Sequence, residues 1–133
     1  MSGRAESILL VEDDRRQREE FSDMLSRLGY EVTPADSHDA ALACAGSFDI
    51  ALIDTVISQE LGKQGYDLCR RIKERCRMPV IAMSSSPNDF YREKWEECGA
   101  ETFLSKDDLR KDPSMIDRLI KEALEKYRSG RGL

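Results

Sequence analysis

The sequence predicts one α/β domain built on an open, doubly wound parallel sheet of five strands with five helices over its two faces. Two observations carry this expectation. Short apolar runs and segments of helical period alternate five times along the chain, a pattern that places a crossover helix after each strand. The first run, Ile8-Leu9-Leu10-Val11, is continuously apolar, as a strand buried on both faces must be. Right-handed crossovers leave few ways to wind such a chain, and five units are too few to close an eight-fold barrel. At 133 residues the chain is the size of one domain, long enough to bury roughly two thirds of its unfolded surface without disulfides or metals.

The first strand, Ser7 to Val11, stops on three acids, Glu12, Asp13 and Asp14. From about Arg15 the period changes: Phe21, Met24, Leu25 and Leu28 make one apolar helical stripe, which Gly29 ends as a C′ residue. Tyr30 to Thr33 is a second strand closed by Pro34. Asp36 or Ser37 caps a second helix through Ala40, Ala41, Leu42 and Cys44 to Gly46. The third strand, Ile50 to Ile53, ends abruptly on Asp54, and 55–64 is a long polar loop without period. A third helix from about Gly65 to Arg75 turns Leu68, Cys69, Ile72 and Cys76 inward. Pro79 to Met83 is the fourth strand and ends on Ser84-Ser85-Ser86; Ser86 caps, and Pro87 begins, a fourth helix closed by Gly99. Thr102 to Ser105 is the fifth strand, Lys106 to Lys111 a charged loop, and Asp112-Pro113 opens a last helix with Ile116, Leu119, Ile120, Ala123, Leu124 and Tyr127 on its apolar face. The domain is expected over 7–128, with 1–6 and 129–133 as flexible ends.

Composition narrows the function. With 26 acidic against 21 basic residues the net charge is −5, and no basic cluster interleaves with aromatics, which argues against direct nucleic-acid binding. The four cysteines, Cys44, Cys69, Cys76 and Cys98, form no C-x-x-C pair and there is a single histidine, so a zinc site or disulfide framework is not expected. No apolar run approaches the ~20 residues that span a bilayer, and the N-terminus lacks a signal-peptide apolar region. A cytoplasmic protein with reduced thiols and no membrane partner is the expectation.

In an open α/β sheet the ligand lies beyond the carboxyl ends of the strands. Those ends deliver Glu12, Asp13 and Asp14 from the first strand, Asp54 from the third, Ser84 from the fourth and Lys106 from the fifth. Converging carboxylates repel, and a hard cation resolves the repulsion: Asp13 and Asp54, with Glu12 acting through water, make a plausible Mg²⁺ site. A carboxylate can also attack phosphorus, with Mg²⁺ and one ammonium, here Lys106, neutralising the developing charge and the Ser84 hydroxyl donating to a phosphoryl oxygen. The blander roles are a helix N-cap for Asp14, a further cap for Ser86, a surface position for His38 and small core positions for the cysteines. Tyr91 and Trp95 are core fillers or an exposed interaction face, with Trp95 leaning to the surface.

Taken together, Ile8 to Asp14, Asp49 to Asp54, Pro79 to Ser84 and Gly99 to Lys106 resemble the response-regulator receiver domains of two-component signalling, over about 7–127. The resemblance implies a flavodoxin-like sheet of strand order 2-1-3-4-5. It implies Asp54 as phosphoacceptor, Glu12 and Asp13 as the acidic pair for Mg²⁺, the Val56 carbonyl as a further metal ligand, Lys106 as the phosphate contact, and Ser84 and Phe103 at the two switch positions. The partners implied are a histidine kinase or phosphotransfer protein and a downstream effector protein, with a phosphorylation-dependent homodimer through the fourth helix, fifth strand and last helix. Such a domain is a phosphoacceptor that assists its own phosphorylation and dephosphorylation rather than an enzyme acting on other substrates. With no effector domain after residue 128, output goes through another protein or the chain is a piece of a longer one.

Three positions depart from the pattern. Asp107 stands where the family has a proline behind a cis bond, which costs a non-proline residue about 2.5–4 kcal/mol, so a strained turn or a trans bond is expected. The loop after Asp54 is about three residues longer than usual, with Ser58 at a common proline position. Phe103 has no hydroxyl, so its switching is a matter of packing alone. The Asp107 and loop departures support one rival, a receiver-like module that binds partners without being phosphorylated. An aspartate-nucleophile phosphatase is weaker, because Val56 stands where that chemistry wants a second acid.

Overall fold

The computed structural model describes residues 6–44, 48–54, 65–76, 78–84, 93 and 95–130. The five strands are β1 (Ser7–Val11), β2 (Glu31–Ala35), β3 (Ile50–Asp54), β4 (Val80–Ser84) and β5 (Thr102–Ser105). All pair in parallel, in the order β2-β1-β3-β4-β5. The helices are α1 (Arg15–Arg27), α2 (His38–Cys44), α3 (Gly65–Arg75), α4 (Lys106–Lys111) and α5 (Met115–Gly130). Glu93 and 95–97 are also helical.

The core divides by strand parity. Ile8 and Leu10 of β1, Ile50 and Leu52 of β3, and Ile81 and Met83 of β4 face Phe21 and Leu25 of α1 and Ile116, Ile120 and Ala123 of α5. Their neighbours Leu9, Val11, Ala51, Ile53, Val80 and Ala82 face Ala41, Leu68, Cys69, Ile72 and Trp95 on the other side. The inner strands β1, β3 and β4 are covered on both faces, which is why they read as unbroken apolar runs, whereas the edge strands β2 and β5 are only partly buried and do not. Parity also fixes the direction of the strand-end acids: Glu12 continues the series 8, 10 and Asp54 the series 50, 52, so both turn toward α1.

Several boundaries differ from the sequence expectation. β2 runs through Pro34 to Ala35, with Pro34 opposite Leu10; it is an edge strand, where a missing N–H can face outward without breaking a ladder. Lys106–Lys111 is a short helix, not a loop. Ser105 caps it by accepting from the Asp108 N–H at 3.4 Å, with Asp107 and Asp108 in its first turn and Arg110 and Lys111 in its last, each charge placed favourably against the helix dipole. Among the described residues this is a helical segment that the sequence did not predict. No cis peptide bond occurs among the described residues, so Asp107 follows Lys106 in trans, the second of the two expected outcomes. The last helix begins at Met115, after a turn in which Met115 N–H donates to the Asp112 carbonyl. It continues to Gly130 rather than fraying at Arg128.

Trp95 is fully buried against the α3 face and is not a surface residue. His38 opens α2 half-buried, not fully on the surface. Of the two candidate caps for α2, Ser37 is the one used, accepting from the Ala40 N–H at 3.1 Å. Cys69 is buried, Cys76 and Cys98 are half-buried, and all three are free thiols; burial pushes the Cys69 thiol up to about 12. The long loop 55–64 with Val56 and Ser58, the Gly46 stop, the Ser86-Pro87 helix start and Tyr91 lie outside the described residues.

Candidate functional site: an acidic cluster with a buried lysine

The site is assembled at the carboxyl ends of β1, β3 and β5. Glu12 has no exposed surface, Lys106 is 1% exposed and Asp54 7% exposed, whereas Asp13 faces solvent. Carboxylate oxygens of Glu12, Asp13 and Asp54 all lie within 4.8 Å of one another. Lys106 enters from the first position of α4, and its Nζ lies 2.5 Å from Glu12 Oε1 and 3.1 Å from Asp54 Oδ1. Because α4 starts immediately after β5, Lys106 keeps the parity of buried Leu104 and points back over the strand ends toward α1.

The loop that carries the acids is held by side chains that bond to its backbone. Arg18 Nη1 donates to the Glu12 carbonyl at 3.0 Å and to the Asp13 carbonyl at 3.3 Å. The Asp14 N–H donates to Glu12 Oε2 at 3.2 Å, and Asp14 caps α1 by accepting from the Gln17 N–H at 2.9 Å. Of the acidic triplet, therefore, two members turn into the site and the third starts the helix.

Burial dominates the electrostatics. Asp54 is raised from the usual carboxylate range to about 7 because desolvation outweighs the pull of Lys106, with the neighbouring Glu12 pushing in the same direction as burial. Asp13 is raised as well, by partial burial and then by Glu12. Among the described residues one ammonium, that of Lys106, compensates three crowded carboxylates, which leaves a demand for further positive charge. Their all-oxygen donor set, with Asp13 open to solvent, suits a hard divalent ion that keeps part of its water shell.

Ser84, 7% exposed, ends β4 next to this cluster, in register with Ser105. Phe103 is not part of it: it is half-buried on the opposite side of the sheet, packed against the cluster that holds Trp95. It also lines a cavity of about 70 Å³ with Trp95, Glu96, Ala100, Glu101, Thr102 and Lys126. Two contacts of Lys106 were not foreseen from sequence. Its Nζ donates to Gln17 Oε1 at 2.8 Å and lies 5.9 Å from the centre of the Phe21 ring. Gln17 stands three residues after a capping Asp, a spacing that by itself suggests a reciprocal cap, so the sequence carried no signal for its actual partner.

The comparisons with known proteins agree with this fold. The family model for the response regulator receiver domain matches residues 8–122. The chain is 34% identical over 113 residues to the transcriptional regulatory protein GltR of Pseudomonas aeruginosa, covering 80% of this chain and 45% of that one. It is 33% identical over 130 residues to the DNA-binding transcriptional regulator NtrC of a Bradyrhizobium species, covering 94% and 26%. The chain thus spans less than half the length of these curated relatives. Among solved structures, the signal receiver domain of a modulated diguanylate cyclase from Desulfovibrio desulfuricans superposes with a TM-score of 0.79 at 25% identity over 96% of this chain and 99% of that one. A CheY-like receiver domain protein from Methanospirillum hungatei, also at 0.79 but 23% identical, covers 96% and 99% and supports the fold. With five parallel strands in the order 2-1-3-4-5 and the family match over most of its length, the chain belongs to the response regulator receiver domains of two-component systems.

Proposed function

We propose that this domain accepts a phosphoryl group on Asp54 from a histidine kinase or phosphotransfer protein, with Mg²⁺ held by Glu12, Asp13 and Asp54, and that the phosphoryl group changes which partners the domain binds. The observation that carries this reading is the Asp54 carboxylate, buried at the end of β3, with the Lys106 ammonium 3.1 Å away and two further acids within 4.8 Å. Mg²⁺ bound there supplies positive charge to the acids and to the phosphoryl oxygens.

One oxygen of the ionised Asp54 forms a bond to phosphorus while the bond from phosphorus to the donor's imidazole nitrogen breaks, and that nitrogen keeps the electron pair. The raised proton affinity of Asp54 means that positive charge must be nearby for the carboxylate to stay ionised at neutral pH. Lys106 supplies one such charge and is in reach of a phosphoryl oxygen on Asp54. Ser84 is the hydroxyl on the neighbouring strand end, and its bond to the phosphoryl group is the differential contact that a two-state switch requires, with Phe103 repacking behind it. The Val56 carbonyl is the further metal ligand in this reading.

We place the domain in the cytoplasm beside its kinase, with output through a downstream effector protein or a further domain of a longer chain, and with a phosphorylation-dependent homodimer as one form of that output. No helix among the described residues is long and apolar enough to cross a membrane. Incubation with Mg²⁺ and acetyl phosphate is expected to add one phosphoryl mass to the wild type and none to Asp54→Asn. Size exclusion before and after tests the dimer. A wild type that gains no mass overturns the reading in favour of a partner-binding module that is not phosphorylated.

A further inference from the structure

We infer that Gln17 is the positioning residue of Lys106, and that α4 is pinned to α1 so that this contact is kept. The inference rests on the phosphoacceptor reading for its kinetic consequence but on geometry alone for the contact itself. Lys106 has three N–H donors and, among the described residues, three acceptors around it: Glu12 Oε1 at 2.5 Å, Gln17 Oε1 at 2.8 Å and Asp54 Oδ1 at 3.1 Å. Two of these are the acids at which a cation and a phosphoryl group would arrive, so they are the contacts the ammonium must share or give up. Gln17 is the acceptor outside the acidic cluster, and it can hold the ammonium in either circumstance.

The surroundings of Gln17 fit that role. Its backbone is fixed by the Asp14 cap, whose own N–H is taken by Glu12, so the Gln17 amide is not drawn back into a reciprocal cap. The Gln17 oxygen faces a second cation, Arg110 Nη2, at 3.5 Å; with donors from two cations aimed at it, the amide must present oxygen to the site. Arg110 in turn grips Glu20 of α1 with both arms of its fork, at 2.9 and 3.2 Å, and its guanidinium lies 5.2 Å from the centre of the Phe21 ring. A bidentate pair fixes geometry as well as distance. It ties the short helix that begins at Lys106 to the helix that carries Gln17. This stands where a proline would otherwise set the backbone behind the lysine.

Two variants test this, Gln17→Leu, which removes the acceptor at similar length, and Gln17→Glu, which keeps an oxygen there. With ¹⁵N-lysine protein in EDTA, the Lys106 ammonium is expected to give a slowly exchanging resonance, assigned by its loss in Lys106→Met. That resonance should persist in Gln17→Glu and be broadened by exchange in Gln17→Leu. With Mg²⁺ and acetyl phosphate, Gln17→Leu should lower the maximal phosphorylation rate about tenfold, the scale of a hydrogen bond to a charged group. Its half-saturating acetyl phosphate concentration should stay within about twofold, and Gln17→Glu should recover most of the rate. An unchanged resonance in Gln17→Leu overturns the contact. An unchanged maximal rate in a phosphorylated Gln17→Leu, with urea midpoints showing both variants folded, overturns the kinetic role. A wild type that takes up no phosphoryl group while its resonance still depends on Gln17 overturns the phosphoacceptor reading and leaves the positioning contact standing.

Discussion

Replacing Lys106 by methionine keeps the length of a side chain that is 1% exposed and removes the ammonium from between Glu12 and Asp54. Two carboxylates no more than 4.8 Å apart are then left facing each other. At an effective dielectric near 20 their repulsion is about 3.5 kcal/mol, in line with the 3–5 kcal/mol that breaking a buried ion pair costs in general, roughly speaking. Asp54 has an escape, because it is already raised to about 7 with Lys106 present and goes higher without it. At pH 6 the variant therefore takes up a proton and avoids most of the repulsion, while at pH 8.5 it must hold that proton or bury both charges. The stability gap between wild type and variant should widen by about 1.4 kcal/mol for each pH unit above 7, until the variant's own carboxyl ionises. Urea unfolding in EDTA at pH 6 and pH 8.5 measures this. A loss under about 1 kcal/mol at pH 8.5, or a gap that does not grow with pH, would refute the view that the ammonium compensates the two acids. Adding Asp54→Asn to the variant should restore much of the loss, because a single carboxylate then remains beside Glu12.

Four further outcomes are expected. The wild type in EDTA should lose stability as pH rises through about 7, because a carboxyl raised in the folded state favours folding below its unfolded value and forfeits that gain on ionising; Asp54→Asn should flatten the slope in thermal melts. Mg²⁺ affinity should rise over the same range and binding should release protons, read by calorimetry in buffers of different ionisation enthalpy, with Asp13→Ala weakening it. Trp95→Ala should cost about 3–5 kcal/mol in urea unfolding, as for a large core aromatic, where a surface position would cost almost nothing. Gly99 has φ +99, and a Cβ there would lie 3.2 Å from Lys73 Cε. Gly99→Ala should therefore cost at least about 1 kcal/mol by denaturant midpoint, and should disturb Lys73, whose Nζ pairs with Glu101 at 2.5 Å.

The sequence by itself determined the sheet and the cast of the site. The short apolar runs 8–11, 50–53 and 79–83 read as strands covered on both faces and 102–105 as a shorter edge strand, and Glu12, Asp13, Asp54, Ser84 and Lys106 stand at the ends of these four, so their gathering at one end of the sheet follows from strand direction. Asp14 and Gly29 could be assigned for the same kind of reason, since a cap or a left-handed C′ residue is a local requirement written in one or two residues. What the tertiary structure decided was non-local. Lys106–Lys111 is too short and too charged to show an apolar stripe, and it is helical because Ser105 caps it and Arg110 reaches Glu20, 90 residues away in sequence. Trp95 is buried in the cluster that holds Leu68, Cys69 and Ile72 of α3, a partnership that no local pattern records. The choice of Gln17 as third acceptor for Lys106 arises from packing α1 against α4, which brings together residues 89 positions apart. Strand and helix periods act over a few residues and are legible in the chain; partners across the core depend on which faces meet, and that information exists only once the sheet has been wound.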